Sequence, residues 1–96
     1  MSVMVTVEFP LQPGKLDEFV GMLGEALYDT RAYDGNEGVE TFVEHGDTSV
    51  LLIEKWQTAE HHKAYHQWRI DTGLGELIGP FVSGPPIVRY FDSDIA

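Results

Sequence analysis

The sequence predicts an α+β fold in which two amphipathic helices cover one face of a four-stranded antiparallel sheet. Three observations carry this expectation: four short runs with strand character, two longer runs with helical spacing, and the absence of any repeat or low-complexity linker between them. The whole chain, residues 1–96, then forms a single domain.

Val3 to Phe9 alternates Val3, Val5, Val7 and Phe9 with Met4, Thr6 and Glu8, the period-2 pattern of a half-buried strand that ends at Pro10. Pro13-Gly14 opens a helix in which Leu16, Phe19, Val20, Leu23 and Leu27 form one apolar stripe, with Lys15, Asp17, Glu18 and Glu25 outside it. This helix runs out near Arg31, where Asp34-Gly35-Asn36 supplies turn chemistry. Val39 to Glu44 reads as the second strand. Gly46-Asp47 joins it in an antiparallel hairpin to Ser49–Trp56, the most apolar run, expected to be central or covered on both faces. Thr58 is placed to cap a second helix from Ala59 to about Asp71, with Glu60 favourable to its dipole. Gly73-Leu-Gly75 breaks that helix, Leu74, Leu77, Ile78 and Phe81 suggest a short helical turn, and Ile87–Phe91 is the fourth strand. The order β-α-β-β-α-β is ferredoxin-like.

Two helices can cover only one face of such a sheet. The other is left bare, and a second protomer packed against it would remove an apolar patch, so a homodimer is expected. Size points the same way, since a domain this short buries only roughly 60–65% of its unfolded surface.

Composition narrows the function. The chain is 43% apolar, with no long uncharged apolar run, which predicts a folded protein that does not span a membrane. Six basic residues stand among sixteen acidic ones, for a net charge of −10, which disfavours nucleic acid and anionic membranes as partners. Without cysteine there is neither a thiolate nucleophile nor a thiolate metal site. Met1-Ser-Val-Met-Val has no basic region ahead of an apolar core, so no signal peptide is read and a cytoplasmic location is the default. Gly35 and Gly38 belong to no phosphate loop, so no nucleotide cofactor is indicated, and no serine stands in a nucleophile elbow. His62 and His66 have the i, i+4 spacing that can hold a metal, but the pattern is not His-Glu-x-x-His and no metal is expected.

Several short motifs, in order, give the chain a resemblance. Pro13-Gly14-Lys15-Leu16-Asp17-Glu18-Phe19, then Thr30-Arg31 with Gly35 and Glu37-Gly38, then Glu54-Lys55-Trp56-Gln57-Thr58 with Glu60, and finally Tyr65-His66-Gln67-Trp68-Arg69 resemble the antibiotic biosynthesis monooxygenase (ABM) domains of the dimeric α+β barrel superfamily. The resemblance implies a homodimer with a ligand cavity between sheet and helices in each protomer. It also implies either a cofactor-free oxygenase acting with dioxygen on a small aromatic phenol or quinol, or a non-enzymatic ligand-binding or stress-response protein of the same build. The chain departs from many members in carrying Asn36 in the loop and Tyr65 where a helix-two His is common. The haem-degrading branch uses a downstream His, and none follows His66 here.

Such an oxygenase needs a dry cavity, a base for the phenol proton, and donors for the resulting anion. An imidazole suits the first proton transfer because it ordinarily titrates near neutrality, which makes His66 the candidate base. Arg31 or Arg69 would hold the oxyanion, and Tyr65 would donate to a substrate oxygen. Trp56 and Trp68 are candidate stacking surfaces and Asn36 a candidate binding amide. Each has a plainer reading: the two Trp in the core, Asn36 in its turn, Arg69 paired with Glu76, and His66 on the outer helix face beside His62.

Overall fold

The computed structural model describes residues 2–96; Met1, the first residue of the run read for a signal peptide, lies outside them. The elements are β1 (Val3–Pro10), α1 (Leu16–Ala32), β2 (Asn36–Val43), β3 (Ser49–Trp56), α2 (Ala59–Asp71), α3 (Leu74–Ile78) and β4 (Ile87–Asp92). The strands form one antiparallel sheet in the order β2-β3-β1-β4, the ferredoxin-like arrangement expected. No helix of the described residues is long and apolar enough to cross a membrane.

The elements follow their sequence signals closely. Helix α2 spans the run anticipated for it, and the Thr58 hydroxyl accepts from the His61 amide (3.1 Å), the N-cap bond that sets where the helix begins and so which side chains it turns inward. β2 begins earlier than Val39. Asn36 already pairs with Trp56, and the register shifts between Asn36 and Gly38, a β-bulge that absorbs Glu37. Gly35 before it has φ +90°, and a Cβ there would run into the His61 ring, so only glycine fits.

Parity along the strands decides the two faces. Val5, Val7 and Phe9 of β1 and Val50, Leu52, Glu54 and Trp56 of β3 turn toward the helices and are buried. They pack against Phe19, Leu23 and Leu27 of α1, Tyr65 of α2 and Ile78 of α3 to form the core. The opposite face carries Met4, Phe42, Leu51, Ile53, Ile87 and Phe91, of which Met4, Phe42, Ile87 and Phe91 are each 40–47% exposed. β3 is therefore an interior strand, as its composition suggests, but it is covered on one face only.

The register also sets up one transverse row. Val39 pairs with Glu54, Glu54 with Val5, and Val5 with Tyr90, so these four residues cross the sheet on its helix side. A carboxylate and a phenol thus flank Val5 beneath α2.

Replacing Thr58 with alanine removes the cap of α2 and lowers stability by about 1 kcal/mol in denaturant titrations. The far-UV helical signal of the folded protein is expected to persist.

Candidate active site

Helix α2 lays its inward residues across that row. His62, three residues before Tyr65 and so on the same helix face, is 1% exposed, with its ring over the gap between Glu54 and Tyr90. The His62 Nδ1 is 2.8 Å from the Tyr90 hydroxyl, and its Nε2 is 3.9 Å from Glu54 Oε1. The same Glu54 oxygen accepts from the Trp56 indole N–H at 2.8 Å. Burial first, and the neighbouring His66 second, push the His62 imidazole down to about 4, so it is neutral near pH 7 and forms no ion pair with Glu54. Burial raises the Glu54 carboxyl above the ordinary carboxylate value, partly offset by the Trp56 hydrogen bond and the Arg69 charge. The Tyr90 phenol is likewise raised, by desolvation and then by the Glu54 charge.

A second polar cluster ties α2 to α1. Arg69 Nε donates to the Tyr65 hydroxyl (2.8 Å), and Arg69 Nη2 donates to the Ala26 carbonyl (2.7 Å) and to Thr30 Oγ1 (3.2 Å). Thr30 Oγ1 and Tyr65 Oη are hydrogen-bonded at 2.7 Å, either hydroxyl able to donate. The guanidinium also lies 4.9 Å over the Trp68 ring. Arg69 therefore makes its contacts here and not with Glu76.

Bounded by α1, α2, α3 and the sheet is a hollow of about 60 Å³. Its walls are mostly aliphatic and phenyl groups, including Leu23, Leu27, Leu74 and Leu77. Its polar lining is gathered from Glu54, His62, His66, Tyr65, Arg69 and Thr30. The volume admits a few waters, and is under half of the roughly 150 Å³ that houses a benzene ring. A one-ring ligand can enter only if the lining gives way. Leu74, Leu77 and Ile78 of the lining come from α3, five residues entered through Gly73 at φ +102°.

Of the residues singled out from sequence, His66, Tyr65 and Arg69 line the hollow. His66 is half-buried and stacks on His62, with ring centroids 5.8 Å apart; it does not stand on an outer helix face, and His62 is one of the most buried residues of the chain. The other four lie elsewhere. Trp56 is fully buried beneath α2, against Tyr33, His62 and Tyr65, where it fills the core. Trp68 packs on Tyr33 and Tyr65 and does not line the hollow. Asn36 pairs with Trp56 at the start of β2, its Nδ2 buried and without a partner among the described residues. Arg31 follows inward-facing Thr30 on α1, so it is turned a quarter-turn away, where its Nη2 donates to the Val39 carbonyl (3.1 Å). No group of three or more His, Asp or Glu among the described residues is placed to hold a metal ion.

Glu54, His62 and Tyr90 were not anticipated. Two of them had a legible signal: Glu54 shares strand parity with Val50, Leu52 and Trp56, and His62 shares a helix face with Tyr65. Tyr90 had none before its register was known.

Comparison with known proteins gives the frame for this site. The model of the antibiotic biosynthesis monooxygenase family matches residues 2–69. The chain belongs to that family. Solved structures share its whole fold at low identity. Rv0793 from Mycobacterium tuberculosis superposes with a TM-score of 0.81 at 16% identity, covering 100% of this chain and 98% of that one. A conserved protein from Methanosarcina mazei gives 0.83 at 12%, covering 98% and 94%. A structure described as an antibiotic biosynthesis monooxygenase gives 0.80 at 19%, covering 96% and 98%. No curated protein matches the sequence.

Burial of His62 in a neutral state has a consequence in acid. Between its unfolded value of 6.5 and about 4, the unfolded chain binds a proton that the folded one refuses, so this residue withdraws stability as pH falls through that window. Glu54, raised in the fold, takes up a proton more readily when folded and opposes the loss. Glu54→Gln removes the opposing group. The variant's stability should then fall by on the order of 3 kcal/mol between pH 7 and pH 4, the loss set by His62 alone, and the wild type's should fall less, as read from denaturant midpoints.

Proposed function

We propose that this ABM-family chain is a cofactor-independent monooxygenase that oxidises a small aromatic phenol or quinol to a quinone with dioxygen, working as a homodimer. The observation that carries the reading is the hollow under the helices, apolar over most of its wall, with imidazole, guanidinium and carboxyl groups in its lining. Family membership supports the reaction class, and the apolar sheet face opposite the helices supports the dimer.

The protein has little covalent work to do in such a reaction. The substrate supplies all four electrons that reduce dioxygen: one oxygen atom becomes the new quinone carbonyl and the other leaves as water. A ring held as its phenolate is the reductant, so the decisive help is removal of the O–H proton and stabilisation of the anion in a dry site. His66, at the hollow's polar end, takes that proton. Arg69 lines the same hollow and holds the oxyanion, its guanidinium fixed in place by Ala26, Thr30 and Tyr65. Tyr65, already engaged with Arg69 and Thr30, serves first as the brace of that guanidinium. Trp56, Trp68, Asn36 and Arg31 support the fold around the site. The closed volume of about 60 Å³ favours one-ring substrates over fused ones.

The test is oxygen uptake over a panel of one-ring phenols and hydroquinones. Wild-type protein consumes oxygen and forms quinone, His66→Ala loses about 10²-fold or more of that rate, and Arg31→Ala stays near wild type. Tight binding of the panel without oxygen uptake would instead identify a ligand-binding protein that uses the same hollow. Leu77→Ala, which trims the lining at α3, shifts preference toward larger phenols.

A further inference from the structure

Converting a phenol to a quinone moves two protons, one from oxygen and one from the ring carbon that takes up dioxygen. His66 accounts for the first. We infer that Glu54, set against His62 in the wall of the hollow, is the second acid–base group and removes the carbon-bound hydrogen as the O–O bond breaks. This rests on the oxygenase reading above.

Several observations point to Glu54. Among the described residues it is the only carboxylate lining the hollow, and it is 2% exposed, on the sheet face that also carries Val5, Val7, Leu52 and Trp56, where an aliphatic residue would fit at lower cost. Its Oε1 accepts from the Trp56 indole at 2.8 Å, which holds the carboxylate in the wall of the hollow. Burial makes the carboxylate more basic than an exposed one, as abstraction from carbon requires. His62 is its positioning partner. The Tyr90 hydroxyl at 2.8 Å fixes the imidazole through Nδ1 and leaves Nε2 directed at the carboxylate, 3.9 Å away, a separation that can tighten when ligand fills the hollow.

The protons and electrons balance with these two groups. His66 takes the O–H proton. The phenolate passes one electron to dioxygen, and the radical pair joins to form a C–O–O⁻ peroxide. His66 then returns its proton to the terminal oxygen. Glu54 takes the C–H proton, the C–H electron pair becomes the new carbonyl π bond, and the O–O bond breaks to release hydroxide. Glu54 gives its proton to that hydroxide, and the sum is phenol plus dioxygen to quinone plus water.

Glu54→Gln tests this, because the amide oxygen can still accept from Trp56. The variant is expected to consume a burst of about one oxygen per site while quinone formation falls by about 10²- to 10³-fold. Acid quenching should trap an adduct of substrate mass plus dioxygen, and deuterium on the reacting carbon should slow quinone formation by the wild type. Quinone formation by the variant at the wild-type rate overturns the inference. So does loss of burst and quinone together in a variant whose circular dichroism matches wild type. If the amide variant does not fold, Glu54→Asp, which withdraws the carboxylate by one methylene, should show the same separation of burst from quinone, and equal loss of both overturns the assignment. Absence of oxygen uptake by the wild type overturns the oxygenase reading itself, and this inference with it.

Discussion

A carboxylate cannot sit dry among valines and leucines unless neighbouring groups compensate it, and the placement of Glu54 is the constraint on which much of this structure turns. The pairing of β3 with β1 puts it on the helix side. Trp56, two residues on and on the same face, supplies the nearest donor, and this ties the chain's largest core side chain to a polar partner. His62 enters over the pair from α2. It can be buried there because it is neutral and because Tyr90, placed opposite Val5 by β4, meets its other nitrogen. Sheet register, helix phase and polar satisfaction therefore depend on one another at this row.

The hollow follows from the same constraint. Groups that must keep hydrogen bonds cannot close as tightly as aliphatic ones, and two polar clusters meet α1 and α2 within a few residues of each other. Arg69 holds the helices together by bridging to a carbonyl and a hydroxyl of α1, so the space between them is braced. Part of the lining comes from α3, too short to pack as a full helix and entered through a left-handed glycine. A rigid polar end and a softer apolar end are what a site needs if it is to hold an anion firmly and still admit a ring.

The scaffold was largely legible in the sequence because it rests on local rules. Alternation in β1 and β3, the apolar stripe of α1 and the Thr58 cap each act within a few residues, and the structure places these elements where those rules put them. β2 begins three residues before the start its alternation predicts because a bulge at Glu37 hides the pairing of Asn36 and Gly38 from any period-2 count. The site was less legible. Arg31, Trp56, Trp68 and Asn36 are chemically attractive residues whose direction depends on helix phase and strand parity, and these turn them into the core or toward the β2 edge. His62 was weighed as a surface residue because a histidine on a helix usually faces water. Its burial needs a partner on β4, 28 residues away, which no local pattern announces.

The extent of the family match separates what is shared from what is this chain's own. The matched residues 2–69 run from β1 through Arg69, and so contain Glu54, His62, Tyr65, His66 and Arg69. The residues beyond them supply Leu74, Leu77, Ile78 and Pro86 to the lining, and Tyr90 to the His62 nitrogen. The matched part thus provides three of the four strands, nearly all of the two long helices and the titratable groups that line the hollow, while the unmatched part adds β4 and sets how much room those groups surround and which way one imidazole points. Changes after Arg69 should then alter which molecule fits, and changes before it should alter what can be done to that molecule. This division follows from chain order, because α2 ends at the site, and the residues after it add α3 to the lining and β4 to the edge of the sheet beside β1.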